Sequence, residues 1–239
     1  MKEGIKPNKT VDDIIRLDVK RSLAHAKYVP ENSFLNILRA YALYNKSVGY
    51  CQGMSFIVEL IISMTKDEAL TFSILAGVIE RLSLKDIYGE RMDLLHKEFY
   101  RLRKLLEIHL PNLQEYLRIM GLPPGLYSTS WMITLFTSTV EDGIDGKILN
   151  PFLLTAWDHF IALRWKGIYK VIVFLMEKLE KRLIELNTTE ILQLLINIGK
   201  QKFWAEEELA VEFAEKAKTL KITNTMLQVL SHQFDKLSN

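Results

Sequence analysis

A single cysteine, Cys51, is present among 239 residues, so no disulfide can form within the chain. A bridged scaffold is excluded, and a reducing compartment is expected. Glycine and proline are scarce as well, at 11 and 6, which leaves long stretches without turn signals. No apolar run approaches the roughly 20 residues that a membrane-spanning helix needs. VIVFLM at 171–176 is typical of the longest. The opening stretch MKEGIKPNKT has no apolar core of the kind that marks a secretory signal. Charge of one sign is missing too, since 31 Lys and Arg face 29 Asp and Glu. Neither half of the chain is a basic footprint, so nucleic acid is not expected as a partner. Together these absences point to a cytoplasmic protein without an integral membrane segment. The glycosylation sequons at Asn8, Asn45 and Asn187 are then read as chance matches.

What the chain does have is apolar residues at helical spacing. At 49% hydrophobic and 25% charged it can bury a core as one large domain or two close-packed lobes. The segment 34–45 sets Phe34, Ile37, Leu38, Tyr41 and Leu43 or Tyr44 on one face, behind a cap at Asn32 or Ser33. Further helices are predicted over 68–82 after the cap Asp67, over 91–109 up to Pro111, and over 112–120. Beyond Pro123, Pro124 and Gly125 come 127–138, 149–164, 168–186, 189–199, 205–219 and 224–235. Asn187 with Glu190 has the spacing of a capping box. No strand alternation and no fixed repeat emerges, which disfavours a solenoid. The expected class is all-α, an irregular multi-helix fold with lobes 1–122 and 123–239 divided at the Pro-Pro-Gly break.

Enzyme chemistry is hard to find. His25, His96, His109, His159 and His232 show no metal-ligand spacing, so no metal is expected. The stretch EDGIDGK at 141–147 lacks the alternating carboxylates of a calcium loop and the spacer of a phosphate loop, and reads as a surface turn. Cys51 would need a neighbouring base to serve as a nucleophile, so packing is the favoured reading. Two polar features interrupt the apolar pattern. In IRLDVKR, Ile15, Asp18 and Arg21 are spaced i, i+3, i+6, which suits either a surface salt bridge or a projecting arginine. In SVGYCQGMSF at 47–56, Gln52 sits between Gly49 and Gly53 at the head of an apolar run. Its amide offers a donor and an acceptor, and the glycines leave a partner room to approach the backbone. A polar helix cap or a buried, hydrogen-bonded amide explains the same residue equally well. The chain between Arg21 and Gln52 is long enough for the two to meet, without requiring it.

Ile15-x-x-Asp18-x-x-Arg21, followed by Gly49-Tyr50-Cys51-Gln52-Gly53-Met54, resembles the paired signature of TBC domains, the GTPase-activating domains for Rab small GTPases. Downstream, His109-Leu110-Pro111 with Leu113, Tyr127-Ser128 with Trp131 and Phe136, Trp157-Asp158 with Phe160, and Trp165-Lys166 are similar to further family segments. The similarity runs from about residue 11 to about 200. It departs at Arg164, where the family commonly has glycine, and the family's first Arg-x-x-x-Trp helix has no counterpart in residues 1–14.

The resemblance implies a protein that acts in trans on GTP-bound Rab rather than through a substrate pocket of its own. An arginine finger, Arg21, would neutralise charge developing at the phosphates, and a glutamine finger, Gln52, would orient the attacking water. Asp18 would hold the arginine segment, Ile15 would anchor it in the core, and Tyr50 would support the glutamine loop or touch the partner. Trp131 and Trp157 are expected in the core. No cofactor belongs to the chain itself in this reading, because GTP and Mg²⁺ arrive with the Rab. Membrane proximity, and a place in vesicle trafficking, would come through the Rab on endomembranes. The alternative is a catalytically silent helical scaffold that binds a small GTPase or another protein. Retention of Arg21 and Gln52 favours activity, and the absent first segment favours silence. A helical enzyme using Cys51 ranks far behind.

Overall fold

Local capping chemistry starts several helices where the sequence places them. In a computed structural model that describes residues 9–22, 29–89, 93–139 and 149–237, the Asp67 carboxylate accepts from the Leu70 amide at 2.7 Å. Asn187 accepts from the Glu190 amide at 3.1 Å while the Glu190 carboxylate accepts from the Asn187 amide at 2.9 Å, completing the capping box. Pro111 occupies the first turn of its helix, where a missing N–H costs nothing. The helices are α1 (Lys9–Ser22), α2 (Glu31–Tyr44), α3 (Met54–Thr65), α4 (Glu68–Arg81), α5 (Lys85–Tyr88), α6 (Asp93–His109) and α7 (Pro111–Ile119). They continue with α8 (Gly125–Ile133), α9 (Pro151–Leu163), α10 (Trp165–Leu183), α11 (Thr188–Ile196), α12 (Glu207–Thr219) and α13 (Asn224–Leu237). Among the described residues there is no strand, and none of the helices is long and apolar enough to cross a membrane. The fold is all-α.

The chain divides into two compact units, residues 1–92 with 133–150, and residues 93–132 with 151–239. The Pro123–Gly125 break lies inside the second unit, because α6 and α7, which precede it, belong with the helices that follow it. In the first unit α2 packs against α1, α3 and α4, and α3 also meets the turn Thr137–Thr139. In the second, α10 packs against α9, α6 and α12, so Gly167–Met176 is buried on every side. VIVFLM is therefore a central helix segment. A buried polar network also ties this unit together. Tyr169 of α10 donates to Glu98 of α6, and Arg101 bridges Glu98 at 2.6 Å and Ser231 of α13 at 3.1 Å. Burial raises the Glu98 carboxyl above its ordinary range.

Several boundaries differ from the periodicity. α2 begins at Glu31 after Pro30, so Asn32 and Ser33 lie in its first turn rather than capping it, and Tyr44 is exposed while Leu35 and Ala42 are buried. The short α5 carries too few residues for a periodic signal. The helix expected over 127–138 stops at Ile133, and Leu135 and Phe136 take positive φ of 51° and 64°. Both side chains are fully buried, so core packing overrides the local helical preference. The stretch 141–147 and the N-terminal sequon lie outside the described residues. Trp131 and Trp157 are core residues as expected.

At Arg164, where the resemblance implies glycine, the backbone is one that glycine favours. It adopts φ 56°, ψ −137°, a conformation that suits glycine, and its carbonyl accepts from the Gly167 amide at 2.8 Å to turn the chain from α9 into α10. Gly167 is required for a separate reason. A Cβ there would lie 2.3 Å from the His159 carbonyl oxygen. Arg164 is exposed, so Arg164→Gly should remove strain without removing packing and raise stability by about 1 kcal/mol. Gly167→Ala should lower it by about 2 kcal/mol or more. Urea denaturation monitored by circular dichroism checks both, and equal midpoints for wild type and the two variants would contradict this account of the turn.

Candidate functional site

The site is built on α1, and α1 is unusual in what it turns inward. Its buried face holds Ile15 and Val19 at 0% exposure, but also the carboxylates of Asp12 and Asp18. Buried carboxylates are costly unless hydrogen-bonded. Each of these two has partners. Asp12 accepts from Arg16 at 2.8 Å and from Arg39 of α2 at 2.5 and 3.0 Å. The fork of Arg39 grips both oxygens, a geometry Lys cannot reproduce. That guanidinium, with Arg16 behind it, holds the Asp12 carboxyl down at about 2.

Asp18 is 2% exposed and reaches across to the loop between α2 and α3. One of its oxygens accepts the Tyr50 hydroxyl, the Gly53 amide at 2.8 Å and the Ser55 hydroxyl at 2.9 Å. These donors lie on both sides of Gln52 in sequence. The glutamine loop is thereby hydrogen-bonded to the arginine helix through one carboxylate. Burial first, and the neighbouring Asp18 charge second, raise the Tyr50 hydroxyl well above its ordinary range, so it stays protonated and donates. The same two causes push the Cys51 thiol up to about 11. It is a thiol at neutral pH, and unsuited to nucleophilic attack.

The glycines around Gln52 have reasons internal to the fold. Gly49 has φ 62° and Gly53 has φ 101°, both in the region L side chains avoid. At Gly53 a Cβ would also come within 3.0 Å of the Thr134 methyl. Residues 133–139 therefore back the loop, and Tyr88 fixes that segment by donating to the Ile133 carbonyl at 2.7 Å. Arg21 lies in the last turn of α1 and is exposed, as is Gln52. Each thus projects from an element tied down by Asp18. Asp12, Arg39, Tyr88 and Thr134 carry no motif of their own in the sequence. Ser55, three residues past Gln52, has one local signal, a hydroxyl in the first turn of an apolar helix. Among the described residues, no three His, Cys, Asp or Glu side chains gather as metal ligands.

A family model described as the Rab-GTPase-TBC domain matches residues 1–184. The chain belongs to that family. Curated relatives of this TBC domain include the Rab GTPase-activating protein eat-17 of Caenorhabditis elegans, 28% identical over 66% of this chain and 18% of the relative. GTPase-activating protein GYP5 of Saccharomyces cerevisiae is 29% identical over 74% of this chain and 19% of its own length. The chain thus spans about a fifth of the length of these relatives. Two solved structures share the fold. The Ypt/Rab-GAP domain of Gyp1p superposes with a TM-score of 0.72, 17% identity, and coverage of 92% of this chain and 75% of that one. A Chlamydomonas flagellar RabGAP TBC domain gives 0.69 and 18%, with coverage of 90% and 68%.

Removing the carboxylate in Asp18→Ala strands three donors, one of them a backbone amide. The TBC domain should lose about 3 kcal/mol or more, read from denaturant midpoints, and retention of wild-type stability would count against the clasp. Asp12 adds a pH dependence. Its folded value lies below the ordinary 3.8, so its stabilisation is present above about pH 4 and is lost as pH falls through about 2. Asp12→Asn should cost about 1 to 2 kcal/mol at pH 7, and the gap to wild type should close between about pH 4 and pH 2. A gap that does not vary with pH would contradict the pairing with Arg39.

Proposed function

We propose that this TBC domain accelerates GTP hydrolysis by a Rab-family small GTPase, acting in trans with Arg21 as arginine finger and Gln52 as glutamine finger. The observation that carries the reading is Asp18. It fastens the loop bearing Gln52 to the helix bearing Arg21 and leaves both of those side chains exposed. A pair of exposed polar side chains on fastened backbone is what a group working on someone else's substrate requires, because little ordering remains to be done when the partner arrives. The names of the relatives, Rab GTPase-activating protein eat-17 and GTPase-activating protein GYP5, support the same reaction class.

The chemistry follows from the two side chains. Hydrolysis of GTP spreads negative charge over the transferring phosphoryl group, and a guanidinium supplies a permanent positive charge with forked donors. The Gln52 amide accepts from the attacking water and donates toward the phosphoryl oxygens, so one group orients both ends of the reaction. The TBC domain contributes no cofactor in this reading. GTP and its Mg²⁺ come with the partner, which also places the domain at endomembrane surfaces and in vesicle trafficking.

The test is phosphate release from a panel of GTP-loaded Rabs. Wild type should accelerate at least one of them. Arg21→Ala should reduce kcat by about 10³-fold or more, and Gln52→Ala by about 10²-fold, with thermal unfolding unchanged in both because the side chains are exposed. Arg21→Lys should recover little, since an ammonium lacks the fork. If both alanine variants match an active wild type, the finger assignment fails; if wild type accelerates no Rab while still binding one in a nucleotide-dependent way, a silent scaffold replaces the activator.

A further inference from the structure

Turning Asp12 and Asp18 inward leaves two of α1's large aliphatic residues outward. Ile14 is 43% exposed and Leu17 61% exposed, although α1 already buries Ile15 and Val19 at 0%. A lone exposed leucine carries no meaning, since folded surfaces are more than half apolar. The position of this pair is what matters. Around a helix of 3.6 residues per turn, Asp18, Ile14, Arg21 and Leu17 follow one another in that angular order. Asp18 marks the edge that meets the glutamine loop. Ile14 and Leu17 therefore lie on either side of Arg21 in angle on the exposed side, Leu17 three residues after Ile14 and Arg21 four after Leu17, along one stripe. A body seated over Arg21 on this face of α1 meets Leu17 one turn away and Ile14 two turns away.

We infer that Ile14 and Leu17 form the apolar part of the docking surface on which the GTP-bound GTPase sits, and that this partner presents a complementary apolar patch beside its nucleotide. The inference rests on the function proposed above. Continuity with the finger residues selects the occupant, because the stripe runs through Arg21 itself. The stripe also has a feature that suits docking more than folding. Both residues lie outside the buried core of their unit, while Asp12 and Asp18 add polar fastening to the apolar burial of Ile15 and Val19. Burying two such side chains on association contributes affinity without touching the reacting atoms, so these are binding residues and not catalytic ones.

The experiment is GTP hydrolysis by a responsive Rab at a series of TBC-domain concentrations, with wild type, the double variant Ile14→Gln/Leu17→Gln, Arg21→Ala, and the surface control Val211→Gln. Val211 is 65% exposed on α12 in the other unit. The double variant should raise KM about tenfold and leave kcat within twofold of wild type, while Arg21→Ala lowers kcat. Its unfolding midpoint should match wild type, because neither side chain is in the core. Val211→Gln should change nothing. A KM equal to that of wild type overturns the inference while the finger mechanism stands. So does a fall in kcat at unchanged KM, and so does sedimentation showing that wild type self-associates through this face and the double variant does not, with KM unaffected. If wild type accelerates no Rab, the parent reading fails and this inference falls with it, a result that looks different from the others.

Discussion

One buried carboxylate oxygen, that of Asp18, organises the candidate site of this molecule. It accepts from Tyr50, Gly53 and Ser55, and through them converts a glycine-bounded loop and a helix distant in sequence into one assembly. The energetic logic is asymmetric. Each bond adds only about 1 kcal/mol net, but deserting three buried donors at once would cost several times that. The loop therefore stays where the helix is. Around this point the other devices make sense. Asp12 ties α1 to Arg39 on α2, Gly53 takes a positive φ so that its amide can face Asp18, and the turn carrying Thr134 closes the space behind it.

A polar fastening has a consequence that apolar packing would not. Asp12 and Asp18 share the inward face of α1 with Ile15 and Val19, and Ile14 and Leu17 stand on its outer face beside Arg21. The arrangement adds two carboxylates to an apolar inner face and two aliphatic side chains to a charged outer one. It also separates two tasks that are easily confused in a sequence, holding the arginine helix in place and presenting a surface to a partner. The second unit is held differently, by the apolar length of α10 and the Glu98–Arg101–Tyr169–Ser231 network, with local strain kept at Arg164.

Much of the architecture could be read from the chain. The helical periodicity of 68–82 and 224–235, the Asp67 cap and the Asn187–Glu190 box correspond to α4, α13 and two capped termini, because those signals are local and nothing in the core opposes them. The end of α8 could not be read, since Leu135 and Phe136 leave the helix to satisfy burial that only the assembled core imposes. The same limit applied to the site. Asp18, Arg21 and Gln52 carry a recognisable motif, but the role of Ser55 depends on a contact across 37 residues, and Arg39 on one across 27. No spacing rule connects residues so far apart. Arg164 is the informative exception, a departure visible in sequence whose physical cost appeared only as a positive φ.

The claim at the centre of this account is that the glutamine loop is held by the Asp18 carboxylate. The most direct measurement is amide hydrogen exchange at Gly53, whose N–H donates to that carboxylate at 2.8 Å. In the wild-type domain this amide should be protected to nearly the level of the buried interior of α3, and in Asp18→Asn it should exchange markedly faster while the far end of α3 stays protected. A Gly53 amide that exchanges at the rate of an open loop in the wild type, or one that is equally protected in both proteins, would show that something other than Asp18 holds the loop.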